Sequence, residues 1–428
     1  MAKTIVYKFG GASVKDADSV KNLAEILRNR LRKNMLIVVS AMGKTTNALE
    51  EILSSRMNQD DYSQKSTNLK QFHLDICKGL FPEDHLIFPK LENLFVQLQN
   101  LLYQEVNEDN YDESYDRIVA FGELISTRVV MEYLCEQGIV VLWQDARELI
   151  LTSSDFRFAK VDWAQTKKRC KSILQPNLDQ YPVITQGFIG ADSKGRTTTL
   201  GREGSDFSAA IFASCLGASS VTIWKDVPGV LNCDPKVFND PELFSELDYL
   251  QAAQMTYYGA SVIHPKTIKP LANLSIPLFV KSFLKPDESG TKIHATGKLN
   301  PIPSVILKRK QIMVSFRVSD FAFVEECHIH EIYNELDRLK LKVNMLQTSA
   351  VGITIIIDHQ LFKLKKLVAA LEESFSIRYN EGLDLLTILN PKEGRWENLG
   401  ASFEILLEQR TRNTVQLVTR ELHPGDQD

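Results

Sequence analysis

Four short stretches carry residues whose types and order could do chemistry. The first is Lys8-Phe9-Gly10-Gly11-Ala12-Ser13-Val14, directly after the apolar run Thr4-Ile5-Val6-Tyr7. A lysine is seldom buried without a partner, and adjacent glycines cost order unless the backbone must turn sharply or approach something closely. A cation beside free backbone N–H groups at a strand-to-helix turn makes a phosphate cradle. A solvated lysine in a turn is the plain alternative. The second stretch, Phe121-Gly122-Glu123-Leu124-Ile125-Ser126-Thr127, sets Glu123 among apolar neighbours on a helix, as a ligand contact or simply a solvated carboxylate. In the third, TTTLGREGSDFSAA at 197–210, a polar strand runs into a helix that begins near Gly204 or Ser205. Four N–H groups lie free at such a start, and Arg202 beside it can fork onto a carboxylate. Asp206 in that first turn is either functional or a complement to the helix dipole. The fourth, WKDVPGVLNCDPK at 224–236, follows a strand with Lys225, Asp226 and Lys236. Gly43-Lys44-Thr45 looks like the end of a P-loop, but Val38 stands where that motif needs its first glycine, so it is rejected.

Such residues need a scaffold, and the apolar pattern predicts one. Strand-like runs fall at 4–8, 35–40, 139–143, 182–187, 221–225 and 278–281, and helical patterns lie between them. Residues 18–31 present Leu23, Ile26, Leu27 and Leu31 at helical spacing, and 205–216 present Phe207, Ala210 and Ile211. Alternating strands and helices indicate an α/β layer fold with a mostly parallel sheet. Ligands of such sheets sit beyond the carboxyl ends of the strands, where Lys8, Ser40, Asp145, Gly187 and Asp226 fall. The polar stretch 54–68 reads as a surface excursion over the site. The Pro- and Gly-rich stretch 285–303 reads as a linker. After it, a βαββαβ order marks a small α+β sandwich: a strand with Ile312, Val314 and Phe316, then a helix with Ile332, Leu336 and Leu339. Strands at 343–346 and 352–358, a helix through Leu364, Leu367, Val368 and Leu371, and a strand at 383–389 follow. Residues 405–420 read as a hairpin about Arg412-Asn413.

Composition narrows the classes further. In 428 residues the formal net charge is -4, so there is no basic surplus to draw nucleic acid or anionic membrane. No apolar run approaches the ~18 residues of a membrane span, and MAKTIVYKFG lacks a signal-peptide pattern. The 6 cysteines lack CxxC spacing, so reduced thiols in a cytoplasmic protein are expected, with no bound metal. Cys327-His328-Ile329-His330 alone looks like a metal site, and too few partners stand at helical spacing there.

Over nearly its whole length the chain resembles the aspartokinases of the amino-acid kinase superfamily. KFGGASV is similar to their opening KFGG(T/S)SV, FGELIS, GREGSD and the KDVPG–DP run match further blocks, and GASVIHPKTI at 259–268 resembles their GAxVxHP block. The resemblance implies a three-layer α/β sandwich with a mostly parallel central sheet at 1–300, and a C-terminal α+β ACT-like regulatory and dimerisation region at 301–428. It implies transfer of the γ-phosphoryl group of ATP, with Mg2+ held mainly by the ATP phosphates, to the side-chain carboxylate of L-aspartate. The product would be 4-phospho-L-aspartate, the first step of lysine, threonine and methionine biosynthesis. A carboxylate is already a nucleophile, so positioning and charge neutralisation suffice. By the same resemblance Lys8 is the catalytic cation, held by Asp206. Arg202 takes the substrate α-carboxylate and Glu123 its α-ammonium, while Ser40, Thr46 and Ser205 hydrogen-bond the substrate. Gly10, Gly11 and Ser13 lie under the phosphates, with Lys225, Asp226 and Lys236 beside ATP.

Several positions depart from the family pattern. Ser261 stands where many relatives carry lysine, which suggests that Lys225 supplies the lost cation. Leu231 replaces a tyrosine common on the adenine side. In the ACT-like part VNMLQTSAVGITIII at 343–357 resembles the family's effector strands, which places Asn344, Thr348 and Ser349 at an effector site on a homodimer seam. Ala350 stands there in place of a glutamate, SDFAFVEE at 319–326 replaces a glycine turn, and the second ACT unit is expected to be incomplete. Asp320 and Glu325 are the nearest substitutes for the missing acid. The alternatives are a related kinase acting on another carboxylate and a catalytically silent effector-binding protein. A fused dehydrogenase is not expected, because the residues after 310 leave no room for a GxGxxG domain.

Overall fold

Met35–Val39 is buried at every position, and only a strand covered on both faces tolerates such a run. It is β2 of a large sheet whose other members are β1 (Ile5–Phe9), β3 (Leu142–Gln144), β5 (Val183–Gln186), β8 (Ser220–Lys225), β9 (Glu246–Asp248), β10 (Leu278–Ser282) and β11 (Thr291–His294). The order is β3-β5-β2-β1-β8-β10-β11-β9, and the pairs are parallel except β10–β11. A smaller sheet joins β4 (Leu151–Thr152), β6 (Ile189–Asp192) and β7 (Thr197–Thr199). The structure, a computed structural model, describes residues 3–201, 203–238, 240–260, 263–319, 323–391 and 403–421. Arg202, Ser261 and Asp320 lie outside the described residues. Within them no helix is long and apolar enough to cross a membrane.

By contacts the chain forms two compact units. One comprises Met1–Val230, Leu243–Ala253 and Val262–Asn300, and the other Leu231–Glu242, Gln254–Ser261 and Pro301–Asp428. In the first, the strands at 35–40, 182–187, 221–225 and 278–281 appear within a residue or so of their expected bounds, and the chain alternates strand and helix as its patterning indicates. The strand expected at 139–143 begins later, as β3 at Leu142–Gln144, and two further expectations fail. Residues 54–68 are not an excursion: the helix Thr45–Met57 runs on, and the helix Ser63–Lys78 begins after a short turn. Leu49, Ile52 and Leu53 bury one face of the first, and Leu69, His73 and Ile76 one face of the second, so the polar junction is largely their solvent side. Nor is 285–303 merely a linker, since β11 lies inside it and pairs with β10. Gly290, at φ +67, permits that return: a Cβ there would lie 2.1 Å from Val280 O.

The second unit is built on an antiparallel sheet of order β13-β14-β12-β15-β17-β16. Its strands are β12 (Ser304–Val318), β13 (Val343–Thr348), β14 (Gly352–Asp358), β15 (Phe375–Leu389), β16 (Phe403–Arg410) and β17 (Thr414–Glu421). Helices Glu326–Arg338 and Leu361–Leu371 complete the βαββαβ order, and the last two strands are the expected hairpin. Ile312, Val314 and Phe316 alternate onto one face, where Ile332, Leu336, Leu364 and Leu367 close a core. That alternation is how an antiparallel sheet covers one side only.

Candidate active site

Lys8 sits on β1 with 6% of its surface exposed, and its Nζ stands 2.7 Å from Asp206 Oδ1. Asp206 lies in the first turn of the helix Gly204–Leu216, and its Oδ2 is 3.3 Å from Nζ of Lys225 at the end of β8. One fully buried carboxylate thus serves two lysines. Burial by itself would raise its pKa, but the two ammonium groups outweigh burial and hold it below the ordinary range. Close approach of backbone requires Gly11, and Gly10 lies against the Lys8 ammonium. A Cβ on Gly10 would lie 3.3 Å from Lys8 Nζ, and one on Gly11 would lie 2.9 Å from both Ala41 O and Gly43 O. The turns after β1 and β2 are pressed together, and Gly43 N donates to Gly11 O at 3.1 Å.

Glu123 projects from the 26-residue helix Tyr111–Glu136 into the same region. Its Oε1 accepts from Ala41 N at 3.2 Å, and its Oε2 is buried with no partner among the described residues. Burial dominates here, and the pKa is pushed up to about 8 despite the Ala41 hydrogen bond and the charge of Lys8. A buried oxygen without a donor is costly, and an ammonium group would supply what it lacks. Ser40 ends β2, its N–H on Phe9 O and its carbonyl taken by Ser126 Oγ at 2.7 Å.

These groups face one cavity of about 530 Å3. Of the residues singled out from sequence, Lys8, Gly11, Ser40, Thr46, Glu123, Ser205, Asp206 and Lys225 line it. Gly10 lies against Lys8, while Ser13 is buried in the 3-10 turn Gly11–Val14, away from the lining. Asp226 is exposed outside the lining, and Lys236 is exposed in the second unit. Asp145 caps its own turn and binds Arg147.

Sequence reading missed a second ring of residues. Phe188 lines the cavity in a left-handed conformation, φ +67, with its N–H on Ser208 Oγ at 2.9 Å. A Cβ on Gly204 would lie 2.7 Å from its ring, so Gly204 lets the helix start against Phe188. Arg157, also left-handed at φ +67, reaches Glu50 at 3.3 Å and Asp112 at 3.5 Å and lies 4.3 Å over the Tyr115 ring. Its backbone is held by Asp116, which is wholly buried: both carboxylate oxygens accept from Arg157 N, at 3.1 and 3.0 Å. The same carboxylate accepts from Thr199 N at 2.8 Å and Thr199 Oγ1 at 2.6 Å. Asp116 therefore ties the 155–158 loop to β7, the strand that leads into the helix of Asp206. Burial pushes its pKa up to about 6 against those four hydrogen bonds. The one available signal was an acid seven residues before Glu123, two helical turns along.

In the second unit, Asn344 is engaged by its neighbours. Its Oδ1 accepts from Lys308 Nζ at 2.8 Å, and its Nδ2 donates to Gln311 Oε1 and Asp358 Oδ1 at 2.7 and 2.9 Å. Thr348 is exposed, and Ser349 donates from N and Oγ to Gly352 O. Glu325 caps the helix Glu326–Arg338, its N–H donating to His328 Nδ1.

A buried lysine–aspartate pair at the carboxyl end of a parallel sheet, beside a glycine turn and a helix start, defines a phosphate-handling α/β protein. The family model described as "Amino acid kinase family" matches residues 3–282, and the chain belongs to that family. Lysine-sensitive aspartokinase 3 of Escherichia coli is 32% identical over 360 residues, covering 84% of this chain and 79% of that one. The chloroplastic aspartokinase 1 of Arabidopsis thaliana is 30% identical over 403 residues, covering 92% and 69%. The crystal structure of E. coli aspartokinase III in complex with aspartate and ADP superposes with a TM-score of 0.83 at 28% identity, covering 98% and 96%. Within the family, this chain stands among the aspartokinases.

Proposed function

We propose that this protein is an aspartate kinase, which transfers the γ-phosphoryl group of ATP to the side-chain carboxylate of L-aspartate in the pathway to aspartate-derived amino acids. One observation carries the reading. A single cavity holds a doubly cationic centre, Lys8 and Lys225 about Asp206, and a buried carboxylate oxygen, Glu123 Oε2, that lacks a partner among the described residues. The first suits a phosphoryl group in transit and the second an α-ammonium. The bound aspartate and ADP of the E. coli relative support the same pairing of substrates.

Lys8 neutralises charge that builds on the transferred group, and Asp206 keeps the ammonium aimed there. The substrate carboxylate attacks directly, so no base is required. Glu123 ionises as it receives the α-ammonium, and Arg202 takes the α-carboxylate. Ser40, Thr46 and Ser205 orient the rest, and Gly10, Gly11 and Lys225 meet the phosphates. No group of three His, Cys, Asp or Glu residues gathers among the described residues, and Asp206 is already committed to two lysines. Mg2+ is then held mainly by the nucleotide phosphates.

Residues 1–300 form the catalytic domain and 301–428 the regulatory one, with dimerisation through the second. Its sheet has β13 as an edge, and an unpaired edge is a ready surface for a second copy. With Asn344 committed elsewhere, an effector would have to rely on Thr348 and Ser349. A cytoplasmic setting suits the free cysteines.

A coupled assay with L-aspartate and Mg-ATP tests the activity, and absence of turnover under conditions where the protein is folded ends the proposal. Arg202→Lys should mainly raise KM for aspartate, because a point charge cannot reproduce the planar fork. Light scattering at micromolar concentration tests the dimer, and a monomer throughout would remove it.

A further inference from the structure

The face of the large sheet that points away from Lys8 is only half covered. Tyr7 pairs with Thr222, and Thr222 with Phe279, so the three side chains lie in one row across β1, β8 and β10. In the next row toward the carboxyl ends Phe9 stacks on Trp224 at 6.0 Å, and Phe283 closes edge-on against Phe9. There the helix Ala17–Arg28 is fastened down, with Asn22 Nδ2 on Phe283 O at 2.8 Å. In the row of Tyr7, by contrast, the face opens into a concavity of about 380 Å3.

Three cations rim that concavity: Arg30, Arg32 and Lys281. No acidic side chain lines it. Arg30 is fixed in place, with Asp287 Oδ1 at 2.6 Å, Pro286 O at 3.2 Å and the Trp224 ring 5.8 Å away. Arg32 and Lys281 have no carboxylate within 4.0 Å among the described residues. Lys281 rests 5.7 Å from the Trp224 ring, a cation–π support, and Asp287 offsets part of its charge from beyond ion-pair distance. The charges share one field. Burial lowers the Lys281 pKa and the Arg30 charge lowers it further, while burial raises Tyr7 against the pull of Arg30 and Arg32. The floor adds the hydroxyl-bearing side chains of Tyr7, Ser220 and Thr222, which make no side-chain hydrogen bond among the described residues.

Like charges gathered about a concavity repel one another, and that cost is relieved by a bound anion. With Arg30 already paired to Asp287, the two cations without a carboxylate, Arg32 and Lys281, suit an anion of more than one negative charge, and guanidinium groups match phosphate oxygens through two parallel hydrogen bonds. The chain's net charge of -4 argues against a nucleic acid as the source. We propose that this concavity is a second anion site, separate from the active-site cavity, which takes a small molecule carrying a phosphate or polyphosphate group. Arg32 and Lys281 bind its charge, Arg30 completes the rim, and the hydroxyl groups of Tyr7 and Ser220 donate from the floor.

Isothermal titration of the full-length protein with inorganic pyrophosphate, at constant ionic strength, tests the proposal. The active-site cavity also accepts phosphates, so the two sites are separated by variants. Lys8→Ala should weaken one class of site and leave the other. Arg32→Ala combined with Lys281→Ala should do the reverse, with a loss of roughly tenfold or more in affinity at the second site. Both replaced residues lie outside the active-site cavity, so aspartate-dependent turnover without pyrophosphate should be unchanged. Thermal unfolding verifies that each variant is folded, and Lys281→Gln alone serves if the double variant is not. A single class of site that Lys8→Ala removes would overturn the proposal. So would a second site that binds equally well without Arg32 and Lys281.

Discussion

At the end of β1, Lys8 and Lys225 share one carboxylate and Glu123 keeps an oxygen without a donor. On the C-terminal sheet, Lys308, Asp358 and Asn344 meet half-buried beside the buried Gln311, and there every group has an answer. Lys308 Nζ stands 2.6 Å from Asp358 and 2.8 Å from Asn344, and both Asn344 and Gln311 donate to Asp358. Both clusters are partly or wholly buried, and each contains lysine and acid. The difference is closure. A closed network rigidifies the sheet that contains it, whereas open valences persist only where a ligand supplies the missing partner.

Substitutions can break that contrast, beginning with the largest expected effect. Lys8→Ala should lower kcat by roughly two to four orders of magnitude, as removal of a positioned transition-state charge does. The fold should survive, as circular dichroism can show. Near wild-type turnover would mean that the open cluster is not the phosphoryl site.

Next comes Glu123→Gln, expected to raise KM for aspartate about ten- to a hundredfold with a smaller change in KM for ATP. Glu123 also sets a pH dependence. Its pKa of about 8 lies above that of an exposed carboxyl, so below pH 8 the ligand-free side chain is largely protonated. Aspartate binding should then release a proton, and KM for aspartate should fall as pH rises from 6 to 8. For stability the sign is opposite: this group's contribution is complete at acidic pH, below its unfolded pKa, and is lost as pH rises through about 8. Glu123→Gln should flatten both profiles, and an unchanged KM profile would detach Glu123 from the ammonium.

Asp116→Asn should act through position. An amide oxygen cannot replace both carboxylate oxygens toward Arg157 and Thr199, so KM for aspartate should rise several-fold with kcat less affected. Equal losses in both parameters would point to a general loss of folded protein instead.

The smallest effect on catalysis belongs to the closed network. Asn344→Ala should leave kcat and KM unchanged while destabilising the protein by about 1 kcal/mol, because water can reach the half-exposed Lys308 and Asp358 it would leave. Thermal unfolding would show it as a lowered Tm. If lysine or threonine inhibits the enzyme and Asn344→Ala abolishes that inhibition without altering Tm, the network is a ligand site after all.

Local order in the chain was enough to reveal part of this. The unbroken apolar run of β2, the two-residue alternation at Ile312, Val314 and Phe316, and the helical spacing of Leu23, Ile26 and Leu27 are periodicities of neighbouring residues. They report which faces are covered, so the layered α/β fold, the βαββαβ region, and the placing of Lys8 at a strand end, Glu123 on a helix and Asp206 in a helix's first turn were legible. Whether a polar residue is open or closed is not a local property. Asp116 is joined to Thr199 across 83 positions and to Arg157 across 41, and Asn344 to Lys308 across 36. The left-handed residues Phe188 and Arg157 are not themselves glycine, and β11 is hidden in a stretch with linker composition because its partner is supplied by the sheet. Hydrogen bonds and ion pairs are spent between residues that only folding brings together. The sequence could therefore nominate Asn344 and Glu123 alike, and the tertiary structure separated the satisfied one from the one still lacking a partner.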